Sequence, residues 1–299
     1  MVAPVKESMK WLILGGEGQL GHAMQAELSA TKNAFRALSH SELNITNGAE
    51  LSHIFADERP DIVLNAAAWT DVDRAEDEES SARLVNAYAA DLVAKESSKY
   101  GAKLVHILTD YVFLGDSRLP WNEMAPLAPV CAYGRTKAEG EDLVGRTYAE
   151  GTFIVRTAWL YSPWQRNFAK TMVRLAKSEA KTIDVVNDQI GQPTSALDLA
   201  TQIRKMIERD VDPGIYHGTN SGEATWFEFA RHIFEFMGIN PEQIQPVDSS
   251  HYQRRAKRPT YSVPEHQHWI DVGMPAMRDW HHALDDALPE IISEEDLGG

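Results

Sequence analysis

Residues 10–24 read Lys10-Trp11-Leu12-Ile13-Leu14-Gly15-Gly16-Glu17-Gly18-Gln19-Leu20-Gly21-His22-Ala23-Met24. A short apolar run passes through glycines into a segment with helical spacing, with Leu20, Ala23, Met24 and Leu28 on one face. Gly15, Gly18 and Gly21 have the spacing G-x-x-G-x-x-G. Glycine there permits a tight turn and lets the backbone approach a diphosphate. The helix that follows presents free N–H groups and the positive end of its dipole. Such a pattern is common in plain strand-to-helix turns. Placed after an N-terminal strand and before a helix, it points to a dinucleotide loop built from Gly15, Gly18, Gln19, Leu20 and Gly21.

Outward from this loop the same alternation continues. Strands are predicted over 35–38, 61–65, 103–108 and 152–156, with helices from 47, over 81–100 and over 132–148. Strands alternating with helices imply parallel pairing with helices on both faces. The fold class is therefore α/β, a Rossmann-like doubly wound parallel sheet. The second half is less regular: helices over 167–177, 195–208, 225–237 and 275–288, and strands over 183–186 and 214–217. Pro275 would occupy the first position of its helix, where proline is tolerated. Residues 9–218 read as mainly the dinucleotide-binding domain, with 162–186 contributing to a smaller C-terminal substrate-binding domain over 219–289. Residues 1–8 are linker-like and 290–299 tag-like, because Ile292-Ser293-Glu294-Glu295-Asp296-Leu297 matches the tail of a common epitope tag.

The 299 residues suffice for a substantial core, and 43% hydrophobic with 24% charged residues is ordinary for a soluble globular protein. A net charge of -15 argues against nucleic acid as a partner. Cys131 is the only cysteine, so no internal disulfide is expected. No signal peptide is legible, and no apolar run approaches the roughly 20 residues that span a bilayer. The expected compartment is the cytoplasm, with no membrane partner.

Ser39-His40 stands where a ribose-binding acid usually ends the second strand. Neither residue repels a 2′-phosphate, whereas Glu17 in the loop does; use of both NADPH and NADH is expected, with a mild preference for NADPH. The small residues of Asn65-Ala66-Ala67-Ala68 let a nicotinamide ribose approach the backbone, which adds Ala67, Ala68 and the adjoining Trp69 to the cofactor contacts.

Tyr133 and Lys137 are four apart on one helix, so they share a face. A phenol with its pKa near 10 is a poor acid–base at neutral pH. A nearby ammonium stabilises phenolate and lowers that pKa. Tyr133 could then give a proton to a carbonyl oxygen as hydride arrives from a cofactor. Thr109 ends the fourth strand, where its hydroxyl could hold the same oxygen.

Gly18-Gln19-Leu20-Gly21, Asn65-Ala66-Ala67-Ala68, Thr109-Asp110-Tyr111-Val112-Phe113, Tyr133-Gly134-Arg135-Thr136-Lys137 and Arg156-Thr157-Ala158-Trp159 resemble the extended short-chain dehydrogenases. Within them the chain is most similar to the dTDP-4-dehydrorhamnose reductase family. Asn167-Phe168-Ala169-Lys170-Thr171-Met172, Asn187-Asp188-Gln189, Gly191-Gln192-Pro193-Thr194 and Gly214-Ile215-Tyr216-His217 extend the likeness from Met9 to about Leu288. The resemblance implies reduction of the C4 keto group of a nucleotide-linked sugar with NADPH or NADH. It implies Tyr133 as proton donor, Lys137 as its partner and ribose ligand, and Thr109 as hydrogen-bond donor to the carbonyl. It also implies substrate contacts at Thr109, Asp110, Trp159, Asn167 and Arg258, and cofactor contacts at Ser39, Asn44 and Ile45. Partners it implies are the nucleotide sugar, a homodimer, and an epimerase fused ahead of the chain or acting beside it. Some members are associated with Mg2+ through C-terminal acids; the residues themselves supply no metal site. Two departures stand out. Leu108 replaces a frequent serine, and Asn44 replaces an aspartate that usually faces the adenine amine.

Glu76-Asp77-Glu78-Glu79 reads as a solvated helix start, and His281, His282, Asp285 and Asp286 as an exposed helix face. Arg254, Arg255, Lys257 and Arg258 suit either a substrate diphosphate or a solvated loop. Two other functions compete: an NAD-retaining sugar nucleotide dehydratase or epimerase, and a non-catalytic regulatory relative that binds a partner enzyme. Asp110-Tyr111 bears on the first, because dehydratases that resemble this fold have Asp-Glu after the threonine.

Overall fold

The computed structural model describes residues 8–178 and 182–297; the linker-like segment expected at the N-terminus falls almost wholly outside them. Lys10–Leu14 (β1), Ala34–Leu38 (β2), Ile62–Asn65 (β3), Lys103–Thr109 (β4) and Thr152–Thr157 (β5) are the long strands of the first half. Leu160–Tyr161 (β6), Ile183–Val186 (β7), Ile190–Gly191 (β8), Thr194–Ser195 (β9), Gly214–His217 (β10), Ala224–Thr225 (β11) and Ile244–Val247 (β12) follow. Six strands form one sheet in the order β10-β5-β4-β3-β1-β2, every pair parallel. β12 pairs with β7 apart from it, also in parallel.

The helices are Gln19–Ser29 (α1), Gly48–Glu58 (α2), Arg74–Asp77 (α3), Glu79–Arg83 (α4), Ala90–Tyr100 (α5), Ala132–Tyr148 (α6), Phe168–Ala176 (α7), Ala196–Glu208 (α8), Trp226–Phe236 (α9), Gln267–Asp271 (α10) and Trp280–Leu297 (α11). Several of their starts follow from side-chain caps that satisfy otherwise unpartnered amides. Asn47 caps α2, Asn167 caps α7, Ser195 caps α8, and Thr225 with Glu228 forms a reciprocal capping box on α9.

Strand periodicity then divides the core. Trp11 and Ile13 pack with α1 and α8 on one face of the sheet, while Leu12 and Leu14 pack with α2 and α5 on the other. A further core gathers residues of α7, α9 and α11 around Tyr161, Phe229, Phe234, Trp280 and Leu284.

Three local features differ from the sequence expectations. The helix expected over 81–100 contains a π-helical turn at Leu84–Ala89, which turns Asn86 inward. The helix expected from Pro275 begins at Trp280 instead. The segment before it is held against residue 221: Ser221 N–H donates to the Arg278 carbonyl, and Trp280 N–H to that of Ser221. The last helix also crosses position 290, where the tag-like tail was set apart. Ile291 is fully buried in the same core as Phe229, and Glu295 pairs with Lys170 at 3.2 Å. Among the described residues, no helix is long and apolar enough to cross a membrane.

Ile291→Ala should therefore destabilise the fold by about 2 kcal/mol, the lower end for a buried isoleucine near a chain end. The exposed Glu294→Ala should stay within about 0.5 kcal/mol. Urea unfolding of both variants checks this; equal midpoints would show that the terminal turns contribute nothing.

Candidate functional site

The glycine loop is pinned to the carboxyl edge of the sheet. Gly15 and Gly16 N–H both donate to the Leu38 carbonyl, at 3.0 and 2.9 Å. Gly15 has φ +82, and a Cβ there would lie 2.8 Å from the Ala67 nitrogen. A Cβ on Gly21 would lie 2.3 Å from the Gly15 oxygen. Only glycine fits both positions. Gly18 caps α1 without a side chain, so the helix presents its first amides with no side-chain partner. This cradle fits a dinucleotide diphosphate. The segment after β6 covers it: Gln19 Oε1 accepts from Ser162 Oγ and Asn167 Nδ2, both at 3.0 Å, and Gln165 Nε2 donates to the Glu17 carbonyl at 2.8 Å.

The other expected cofactor residues take distinct places. Ser39 is buried beside the loop and bonded to Glu42. Asn44 Oδ1, the acceptor expected for adenine, accepts from Thr46 N–H and hydroxyl. The Ile45 side chain lies in the core. Ala67 and Ala68 are half-buried after β3, and Trp69 is held through its backbone by Asn86. The same Asn86 amide reaches Thr136 of α6 at 3.1 Å.

α6 carries Tyr133, Lys137 and Glu141 as an i, i+4, i+8 stripe. Its first turn is fixed by acids that were expected to be solvated. Glu76 Oε1 accepts from Ala132 N–H at 2.7 Å, and Glu79 pairs with Arg135 at 2.7 Å and with Arg83 at 2.9 Å. Tyr133 is buried, and burial pushes its phenol above the ordinary range, against a hydrogen bond with Thr109 that pulls it down. Lys137 donates to the Ile107 carbonyl at 2.7 Å. Burial draws its ammonium down to about 8, and the Glu141 charge opposes this. Lys137 was expected to lower the phenol. With its ammonium engaged by a strand carbonyl, desolvation decides the phenol instead.

Thr109 Oγ1 donates to Asp110 Oδ1 at 3.1 Å, and Ser262 Oγ donates to Asp110 Oδ2 at 2.5 Å. Asp110 is buried, which pushes its carboxyl up to about 6 against both hydroxyl bonds. Tyr111 sets its ring edge-on to Tyr133 at 5.6 Å between centroids, and burial raises its phenol too.

Trp159 follows β5 in the left-handed region, φ +46, and stacks on Trp226 with centroids 3.6 Å apart. Asn167 caps α7 through Oδ1 and ties down Gln19 through Nδ2, so its amide is engaged within the protein. Arg258 forms a two-pronged pair with Asp73, 2.8 Å on each side, and holds that carboxyl down to about 2. Arg255 pairs with Asp77 and Arg254 with Asp73 at 3.8 Å, so three members of the basic run are paired with the acids around α3. His232 bonds Asp285 at 2.7 Å and His281 bonds Asp279 at 2.8 Å. Among the described residues, no group of three or more side chains is arranged to hold a metal.

Asn86, Ser262 and Trp226 were not singled out from sequence. Each acts through contacts distant in the chain, and an Asn within a helical pattern or a Ser in a loop carries no local signal.

Asp110 makes a measurable contribution to pH dependence. Its carboxyl rises from 3.8 to about 6 on folding, so the folded state holds the proton more tightly. Stability should fall as pH rises from about 4 to about 6, by up to about 3 kcal/mol. Chemical denaturation across that range should show the loss in the wild type and not in Asp110→Asn. Parallel curves would show that the carboxyl titrates normally.

Residues 9–293 match the family described as RmlD substrate binding domain. A curated relative from Streptomyces antibioticus, "Probable dTDP-4,6-dihydroxy-2-methyloxan-3-one 4-ketoreductase", is 41% identical, with 96% of this chain and 97% of the relative covered. The dTDP-4-dehydrorhamnose reductase of Streptomyces griseus is 38% identical, with 94% of each covered. A crystal structure of dTDP-4-dehydrorhamnose reductase from Bacillus anthracis in complex with NADP superposes with a TM-score of 0.90 at 38% identity, covering 95% of this chain and 99% of that one.

Proposed function

This chain belongs to the RmlD substrate-binding-domain family, and from that premise we propose that it reduces the C4 keto group of dTDP-4-dehydro-L-rhamnose, giving dTDP-L-rhamnose. The observation that carries the reading is the buried phenol of Tyr133, set on the same face of α6 as Lys137 one turn on and pulled down by the Thr109 hydroxyl. Reduced nicotinamide dinucleotide, when bound at the glycine cradle, supplies the hydride for C4. The protein supplies the other half of the addition. Tyr133 donates to the C4 oxygen and gives up its proton as negative charge develops there, and Thr109, its hydroxyl turned from Asp110, would donate to the same oxygen. Burial keeps that proton on the phenol until it is needed. Lys137, one turn on, would hold the ribose hydroxyls of the bound dinucleotide, and its charge favours the phenolate left behind. Trp159, standing at the head of the second core, offers a flat apolar wall for the sugar.

The neighbouring residues support reduction over dehydration. Elimination of water needs a base beside the sugar, and Tyr111 holds a raised phenol there in place of a carboxylate. The single buried cysteine agrees with a cytoplasmic setting.

The test is turnover with dTDP-4-keto-6-deoxy sugars, following dinucleotide oxidation and product mass together. One dinucleotide should be oxidised per sugar, with two hydrogens gained and no water lost. A product lighter by one water, formed without net oxidation, overturns the reading. Tyr133→Phe should lower kcat by about 10²–10⁴ while dinucleotide affinity stays within about twofold. Wild-type turnover should decline as pH rises through about 8, where Lys137 loses its proton. A rate that stays flat to pH 9.5 would show that the ammonium is not required.

A further inference from the structure

The Leu38 carbonyl anchors the glycine loop, so the next residue, Ser39, lies at the corner where a dinucleotide's adenosine ribose is read. Ser39 is 6% exposed, and its own polar groups point at a neighbour. Its N–H donates to Glu42 Oε2 at 2.9 Å and its hydroxyl to the same oxygen at 2.8 Å. The Ser41 hydroxyl lies 2.8 Å from that of Ser39. The serine is thus occupied, and the outward-facing acceptor at this corner is the exposed carboxylate of Glu42. Both Ser39 bonds hold that carboxylate below its ordinary range, so it is charged at neutral pH. The nearby Arg36 charge also lowers Glu42, but its guanidinium pairs with Glu58, which Lys10 also reaches at 2.8 Å.

We infer that Glu42 takes the place of the missing ribose acid and selects a nicotinamide dinucleotide with a free 2′-hydroxyl over one with a 2′-phosphate. A carboxylate accepts hydrogen bonds from a vicinal diol and repels a phosphate dianion. Glu42 stands three residues beyond the usual position and is brought back by the Ser39–Glu42 turn. This reverses the mild preference for NADPH that Ser39-His40 alone implies. The inference rests on the cofactor assignment of the proposed function.

The alternative role for Glu42 is to close a turn, because an acid three residues on commonly accepts from the N–H at a turn's start. Glutamine does this equally well. Glu42→Gln therefore keeps the turn and removes only the charge. The measurement is equilibrium binding of NAD+ and NADP+ to the full-length protein, read by tryptophan fluorescence, with no sugar present. The wild type should bind NAD+ more tightly than NADP+. Glu42→Gln should tighten NADP+ about tenfold and leave NAD+ within about twofold. A wild type that prefers NADP+, or a ratio unmoved by Glu42→Gln, overturns the inference. So does a ratio that moves only with Glu17→Gln, which would assign selection to the loop. Binding of neither dinucleotide overturns the cofactor assignment itself.

Discussion

The buried pair between Arg156 on β5 and Glu141 on α6 is the constraint from which the catalytic arrangement follows. Arg156 meets both carboxylate oxygens, at 2.9 and 2.5 Å, and its remaining reach goes to the Glu123 carbonyl at 3.0 Å. A buried guanidinium satisfied by two-pronged geometry cannot lose its partner without leaving a bare charge, a loss of about 3–5 kcal/mol. The pair thus locks the rotation and height of α6 on the sheet. Glu141 is one turn beyond Lys137, and Lys137 one turn beyond Tyr133, so fixing the first orients the other two. Glu141 also acts electrically, since its charge opposes the desolvation that lowers the Lys137 ammonium. One ion pair therefore fixes the position of the lysine and offsets part of the burial that lowers its ammonium.

A second junction joins the dinucleotide cradle to the rest of the site. Gln19 lies in the glycine loop, yet its side chain is held by Ser162 and Asn167, just beyond β6. Between β5 and β6, Trp159 holds a left-handed backbone that costs a bulky residue about 1–3 kcal/mol. The surroundings determine it fully. Thr194 N–H donates to the Trp159 carbonyl, Trp226 stacks on its ring, and Gly191 lacks the Cβ that would lie 2.6 Å from it. Strain is thus stored where the main sheet hands over to the second core.

The main sheet was legible because its signals are local. Apolar runs of four to seven residues between glycines and helical stripes can only pair in parallel, and α6 lies where its 3.6-residue period places it. Tyr133 and Lys137 were legible for the same reason, their spacing being a property of one helix. What sequence could not reveal depends on distance along the chain. Ser262 reaches Asp110 across 152 positions, and Asn86 reaches Thr136 across 50. The acids at 76–79 look like a solvated run, yet Glu76 and Glu79 fasten the start of α6. The phenol's protonation also depended on the fold: spacing predicts a nearby ammonium, but only packing shows it turned toward the Ile107 carbonyl. At the chain end, a match to a tag outweighed an apolar periodicity that places Ile291 in the core.

The overall charge of -15 poses a problem for a site that must admit two anionic ligands. Screening reduces it, since at physiological salt the field of distant carboxylates fades within about 8 Å. What remains is the local balance, and there the acids are occupied. Arg258 holds Asp73, Arg135 and Arg83 hold Glu79, and Arg255 holds Asp77. Asp110 is the acid nearest the reacting groups, and burial raises its carboxyl until a large share is neutral close to pH 6. The uncapped start of α1 then presents its amides with little opposition from these acids. Glu42 stands apart from this pattern, as a charged, exposed carboxylate at the corner of the cradle with no cation bound to it among the described residues. Of the two exposed acids at the cradle that no cation pairs among the described residues, Glu17 lies in the diphosphate loop and Glu42 beside Ser39, so the inferred discrimination at the ribose falls to Glu42 while the loop's own contacts stay as they are.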